Sequence, residues 1–424
     1  MEEMAGRGGR KSPAALDDLT VLDLCTVEGQ VMGKLLGDMG ARVVKVEPPG
    51  GAPERRVGPF KGDVPHPEAS LSFWYFNTSK ESVTLDLTRP EGRNLFLRMA
   101  ARADVVLESF PPGHLDSLGL GYESLRGVNP GVILTSVTGF GQTGPYRDYR
   151  TSDLVAMGLG GIMNSCGYDD VPGSPPIRPD GGHAYYMAGY HGVIGTLLAL
   201  LHRDATGEGQ HVDVSIHEAV ASTIEAALPW YIYQGLVVRR QTGRHHSPRK
   251  TPLTQYRARD GRYVNVFGVF TTLHAWRTLV AWMEAEGMAE DLGDERYAEL
   301  VARRVRSGPD VEHAYEVIGR FIAAHTADEI YRGAQERRFP WGIVRSPEEN
   351  LQDPHFQDRG FFCPVEHSEE GETYLYPGRP YLFSETPWRT RRAPLLGEHN
   401  RKVYVEELGL SEAELESLES RGVV

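Results

Sequence analysis

With 424 residues, 40% of them hydrophobic and 24% charged, the chain has a globular composition and exceeds one ordinary domain, so two domains are expected. A formal net charge of −13 gives a surface that repels phosphate backbones and, without a concentrated basic patch, excludes nucleic acid as a partner. Cys25, Cys166 and Cys363 are too far apart for a disulfide framework or a CxxC metal motif and suit a reducing, cytoplasmic compartment.

Residues 1–18 lack the apolar stretch of a signal peptide and read as a disordered leader; nothing further along reaches the apolar length of a membrane span. From Val21 the chain runs through a short apolar strand, a glycine-containing turn, a helix spaced from Val31 to Met39 and a second strand, VVKVE: a βαβ unit. SVTLDL, DVVLESF and GVILTSVTGFG read as further strands, and EGRNLFLRMAARA as an amphipathic helix. Strands alternating with helices imply an α/β fold with a mostly parallel sheet. The Gly/Pro-rich stretch from Gly139 to Gly182 holds the helix SDLVAMGLGGIMN and is longer than a compact domain carries without a functional reason. A small-residue helix, Gly189 to Arg203, follows. Past Glu225 come helices separated by the basic turn GRHHSPRK and a strand pair joined at Asp260-Gly261. The expected boundaries are a large domain over 19–225, a small domain over 226–335 and a return to the large domain over 336–424.

Arg203, Thr206, Gly207, Gly209 and Gln210 spell R-x-x-T-G-x-G-Q after a glycine-rich turn and a small-residue helix. With FPWGIVRSPEENLQDPHFQDRGFF and PLLGEHN, this run resembles the signature of the class III CoA-transferases, and the likeness extends from about Leu19 to Asn400. The resemblance implies a Rossmann-like large domain built from both chain ends, a smaller inserted α+β domain and an interlocked dimer, with the R-x-x-T-G-x-G-Q motif as a closing hairpin. It also implies CoA or acyl-CoA as substrate with no permanently bound cofactor. By the same likeness CoA lies at the first βα loop (Val27, Glu28), the end of the next strand (Pro48) and the N-x-x-K-x-S segment (Asn77, Lys80), and also at the loop after DVVLESF (Ser109, Phe110) and at Arg150. The residues alone say less: Thr26–Gln30 precedes a helix N-terminus that favours an anion, but most such turns bind nothing. Lys80 could equally be a solvated loop lysine, and Arg150 a surface charge. Family members carry basic residues at the places of Pro48 and Ser117, so phosphate contacts are expected to move to Arg55, Arg56 or Arg150.

The implied chemistry is covalent carboxylate catalysis, in which an aspartate attacks the donor thioester. That aspartate stands four residues before the glycine matched by Gly189, and here the place belongs to Tyr185. A phenol is mostly protonated at neutral pH and forms a more stable ester, so Tyr185 reads as a packing residue and the nucleophile is unassigned. Asp180, in a Pro-Asp-Gly-Gly turn, and Asp153, at a helix start, are weaker candidates; each also has a structural reading, as a turn or cap residue. Ser152 and Phe270 occupy the places of the family's racemase pair, which argues against proton abstraction, and no metal ligands show recognised spacing. Trp230, Tyr231 and Tyr233 could line an acyl pocket or pack in a core.

Three readings follow. The GGHAYYMAG stretch resembles the aspartate-lacking subunit of benzylsuccinate CoA-transferase, which makes the chain one subunit of a heteromer whose homologous partner supplies the aspartate. Alternatively, a homodimer works alone with Asp180, or the chain binds acyl-CoA without chemistry.

Overall fold

The computed structural model describes residues 14–424. Six strands form one sheet in the order β3-β2-β1-β4-β5-β6: β1 (Thr20–Asp23), β2 (Arg42–Glu47), β3 (Lys80–Thr84), β4 (Val105–Glu108), β5 (Ile133–Thr138) and β6 (His211–Ser215). Every pairing is parallel, Val21 lying opposite Val43 on one side and Val105 on the other. Parallel strands need crossovers that cover both sheet faces, which is why Val105, Val106, Leu107 and Ile133 are all fully buried in succession. The chain first builds outward from β1 to β3, then returns to β4 on β1's free side. The strand order therefore reverses between β1 and β4, and the crevice beyond their carboxyl ends is where open α/β sheets hold ligands.

The helices of this layer are α1 (Gln30–Asp38), α2 (Leu71–Phe76), α3 (Pro90–Ala100), α4 (His114–Ser117), α5 (Tyr122–Val128), α6 (Asp153–Leu159), α7 (His183–Thr206) and α8 (Ile216–Ala221). Helix α7 packs closely on α1 because Gly189 and Gly192 carry no side chain; a Cβ at Gly189 would stand 2.0 Å from Val31 Cγ1. Contrary to the sequence expectation, α7 is long and apolar enough by length and composition to cross a membrane. In the fold one of its faces packs on the sheet, with Thr196 Oγ1 2.8 Å from Thr135 Oγ1 on β5. The R-x-x-T-G-x-G-Q motif is not a hairpin: Gly207, at φ 79°, ends α7, and the chain turns into β6 parallel to β5.

The chain divides into two compact units. The first comprises the described residues through Gly160, together with Pro179–Thr223 and Pro354–Val424; the second comprises Gly161–Arg178 and Ile224–Asp353. The return to the first unit thus starts at Pro354 rather than at 336. The physical reason is that Phe339 and Trp341 are buried in the second unit's core, where Trp341 Nε1 donates to the Phe267 carbonyl at 3.0 Å. That unit contains α9 (Ala227–Gln234), the three-stranded sheet β7 (Gln255–Arg257), β8 (Tyr263–Asn265) and β9 (Gly342–Ile343), and helices α10 (Leu273–Ala285), α11 (Glu295–Ala302), α12 (Pro309–Ala323) and α13 (Ala327–Glu336). Phe270 lies in its core, stacked on Trp276.

After α14 (Pro354–Asp358), strands β10 (Phe362–His367) and β11 (Glu372–Pro377) form an antiparallel hairpin. The C-terminal α15 (Glu412–Ser420) then packs Leu415 and Leu418 into the same core as Leu95 and Phe96 of α3. Residues 14–18, expected in the leader, are part of the fold: Ala14 is buried and Leu16 N donates to Met39 O at 3.1 Å, while residues 1–13 lie outside the described residues.

Candidate functional site

The loop Leu24–Gly29 leaves the carboxyl end of β1 and is fastened to β4 by side chains rather than by sheet hydrogen bonds alone. Thr26 N donates to Ser109 Oγ at 2.8 Å, the two hydroxyls are 3.0 Å apart, and Thr26 Oγ1 donates to the Glu28 carboxylate. Val27, at the apex, is exposed, and α1 starts immediately afterwards with Gly29 N and Gln30 N both donating to Thr26 O. Val27, Glu28 and Ser109 are therefore brought together at the β1/β4 crevice, beside a helix N-terminus that favours negative charge. Phe110 follows Ser109, half-buried, with its ring 4.8 Å from that of His114.

Lys80 and Asn77 stand beneath this loop and do not face its surface. Lys80 is buried, its ammonium donating to Asp23 Oδ2 at 2.7 Å, the Gln30 carbonyl at 3.0 Å and Asn77 Oδ1 at 2.9 Å. The pair fits because residue 33 is glycine: a Cβ there would come within 2.3 Å of Asp23 Oδ2 and 2.9 Å of Lys80 Cε. Burial pushes the Asp23 carboxyl upward, but the Lys80 and Lys45 ammoniums outweigh it and hold that carboxyl below its usual range. Asn77 is fully buried, its Nδ2 donating to the Phe73 carbonyl. Neither residue has a donor left to offer a ligand at the surface, which corrects the expectation of direct contact. Their shared role is to fix where the loop begins.

The rearranged phosphate contacts meet a similar fate at one position. Arg55 is buried and spent on Glu47 at 2.7 Å, Glu68 at 2.7 Å and the Pro394 carbonyl at 3.1 Å. Arg56 is exposed and donates to the Gly50 carbonyl at 3.0 Å, and Arg150 is exposed ahead of α6. Pro48 is exposed just past β2.

At the starts of α6 and α7 the structure brings together Asp153, Tyr185 and the turn holding Asp180. Asp153 N donates to Tyr185 Oη at 3.0 Å, and Ala184 N donates to Asp153 Oδ1 at 2.9 Å. Ser152 caps α6 by accepting from Val155 N, and Asp153 caps the neighbouring helix by accepting from Ala184 N. Its buried carboxylate thereby serves the start of α7. Asp180 is exposed, separated from α7 by Gly181 and Gly182 at φ 106° and 73°. Trp230, Tyr231 and Tyr233 lie on α9, none of them buried; Tyr233 is 84% exposed, so they do not pack in a core within the second unit.

Sequence reading missed Glu108. It ends β4 at the point of strand-order reversal, 4% exposed, with Phe110 N donating to its carboxyl at 2.6 Å. Burial raises this carboxyl to about 7 despite hydrogen bonds from Ser136 and Phe110. The strand DVVLESF gave the only signal available: a glutamate at the last position of an otherwise apolar central strand.

Comparison with known proteins gives a consistent picture. The model of the CoA-transferase family III matches residues 16–400. A succinyl-CoA–D-citramalate CoA-transferase from Chloroflexus aurantiacus is 34% identical over 98% of this chain and 99% of its own length. The BbsE subunit of a succinyl-CoA:(R)-benzylsuccinate CoA-transferase from Thauera aromatica is 34% identical over 95% and 97%. Among solved structures, a CAIB/BAIF family protein from Brucella suis superimposes with a TM-score of 0.77 at 29% identity, covering 93% of this chain and 99% of that one.

Proposed function

Because the chain belongs to CoA-transferase family III, and acts as a CoA-transferase subunit, we propose that it transfers CoA from succinyl-CoA to a carboxylic acid in company with a homologous subunit that supplies the aspartate nucleophile. The observation that carries this reading is Tyr185: it occupies the nucleophile's place, and its hydroxyl is engaged with the Asp153 N–H. Two relatives support the donor, since both are named for succinyl-CoA, and one of them is itself named as a subunit.

In this proposal the partner's aspartate oxygen attacks the succinyl thioester carbon and the C–S bond breaks, leaving a mixed anhydride and CoA thiolate. The thiolate attacks the aspartyl carbonyl, releasing succinate and leaving CoA on the enzyme. The acceptor carboxylate then displaces CoA thiolate to form a second anhydride, which the thiolate opens to give the new acyl-CoA and the free aspartate. This chain's contribution is the β1/β4 crevice, where Val27, Glu28, Ser109 and Phe110 border the CoA path, with Arg56 and Arg150 as the exposed cations for its phosphates; Pro48 lies at its edge. Assembly is proposed as an interlocked dimer, and an exposed apolar stripe on α7, Tyr190, Ile194, Leu198 and Leu201, supports a protein surface there.

The test is CoA exchange by the purified chain, alone and mixed with an aspartate-bearing homologous subunit, using succinyl-CoA and a panel of acids that includes citramalate and benzylsuccinate. Exchange only in the mixture is expected. Exchange by the chain alone that is lost in Asp180→Ala would replace this reading with the self-sufficient one.

A further inference from the structure

We infer that Glu225, His245 and His246 form a binding site for a divalent transition-metal ion of the zinc type in the second unit. The twenty-residue gap in sequence hides it, but the fold converges three ligand atoms on one point: His245 Nε2 and His246 Nε2 each lie 3.3 Å from Glu225 Oε2, and all three atoms are within 4.8 Å of one another. Ligands bonded at about 2.0–2.1 Å in a tetrahedron stand about 3.3–3.4 Å apart, so the nitrogen–oxygen separations match tetrahedral edges.

A second observation fixes the protons. His245 Nδ1 lies 2.9 Å from the His246 carbonyl oxygen, which can only accept, so Nδ1 carries a hydrogen and Nε2 is the ring atom turned toward a metal ion. The two rings stack at 4.4 Å with an interplanar angle of 25°, which keeps both Nε2 atoms turned to Glu225 Oε2.

The loop is also set in advance. Thr251 Oγ1 donates to the His245 carbonyl at 3.0 Å, Gln241 Nε2 donates to the Arg249 carbonyl at 2.9 Å, and Thr251 N donates back to Gln241 Oε1 at 2.9 Å. Glu225 approaches from the segment just ahead of α9, at a φ of 44° that non-glycine residues seldom adopt. Two imidazoles and one carboxylate select zinc and its neighbours over magnesium or calcium, and the exposed side leaves a fourth position for water. The ion would clip the basic GRHHSPRK loop to the start of α9. A comparable group, Glu290, Asp291 and His313, carries no such inference because Arg320 and Arg296 already pair with its carboxylates.

The experiment is titration of the untagged, chelator-stripped full chain with Zn²⁺ against a chromophoric indicator, and with Co²⁺ for its visible spectrum. One equivalent bound at micromolar Kd or tighter, with the intense visible bands of tetrahedral Co²⁺, is expected. His245→Ala/His246→Ala should weaken binding at least 100-fold and abolish the bands; Glu225→Gln, which keeps both histidines, should weaken it at least tenfold should the double variant misfold. Absence of stoichiometric binding, or equal binding by the folded variants, overturns the inference.

Discussion

Tyr185 Oη accepts from the backbone N–H of Asp153, and the Asp153 carboxylate in turn accepts from the N–H of Ala184, the residue beside Tyr185. Each helix start thus satisfies a donor of the other, which locks α6 against α7 through one residue pair. The tyrosine that replaces the expected nucleophile is therefore part of the scaffold.

Removing the phenolic oxygen should act on stability more than on chemistry. Tyr185→Phe is expected to cost about 1 kcal/mol in urea unfolding, and Asp153→Ala about 1–2 kcal/mol. Exchange by the Tyr185→Phe chain with its partner subunit should fall less than tenfold. Lost exchange at unchanged stability would instead assign the hydroxyl a covalent role.

The Asp23–Lys80 pair is fully enclosed, so breaking it leaves the buried Asp23 carboxylate without its hydrogen-bonded partner. Lys80→Met is expected to lower unfolding free energy by about 3–5 kcal/mol. Gly33→Ala should cost about 1–3 kcal/mol, because its methyl would enter the space of that pair. Denaturant melts of both variants check this; a Lys80→Met chain as stable as the parent would show that the ammonium is not confined as described.

Glu108 makes stability depend on pH. Its carboxyl holds a proton more tightly folded than unfolded, so the associated stabilisation is complete below the ordinary value of 4.5 and is lost as pH rises through about 7. The difference, about 7 minus 4.5, at about 1.36 kcal/mol per unit, is on the order of 3 kcal/mol. Comparing urea midpoints at pH 5 and pH 8, Glu108→Gln should lose less stability than the parent by an amount of that order. Parallel pH profiles in the two proteins would contradict the assignment.

Leu198 is 60% exposed on α7, within the proposed subunit surface. Leu198→Glu should leave thermal stability of the separated chain within about 0.5 kcal/mol, as is usual for surface changes. Light scattering should nonetheless show impaired assembly. Unaltered mass in solution would remove α7 from the interface.

Much of the fold was legible because its signals are local. The VVKVE and GVILTSVTGFG runs, the apolar spacing of α1 and the Asp260-Gly261 turn each specify an element within a few residues, and strands alternating with helices permit few topologies other than a parallel sheet. The absence of the aspartate before Gly189 was likewise a plain fact of sequence. What the sequence could not decide was where each charge points. Lys80, Asn77 and Arg55 carry the residue types of a ligand site, yet all three are buried in contacts across 57, 47 and 339 positions of chain. Phe339 and Trp341 joined the second unit, moving its end to Asp353, because an aromatic core gathers residues by contact rather than by order. Glu108 acquired its raised carboxyl, and Asp153 its cap on another helix, only from neighbours that chain closure supplied. Secondary structure follows short-range sterics and periodicity, whereas side-chain charge and exposure are set by long-range packing, and that belongs to the tertiary structure alone.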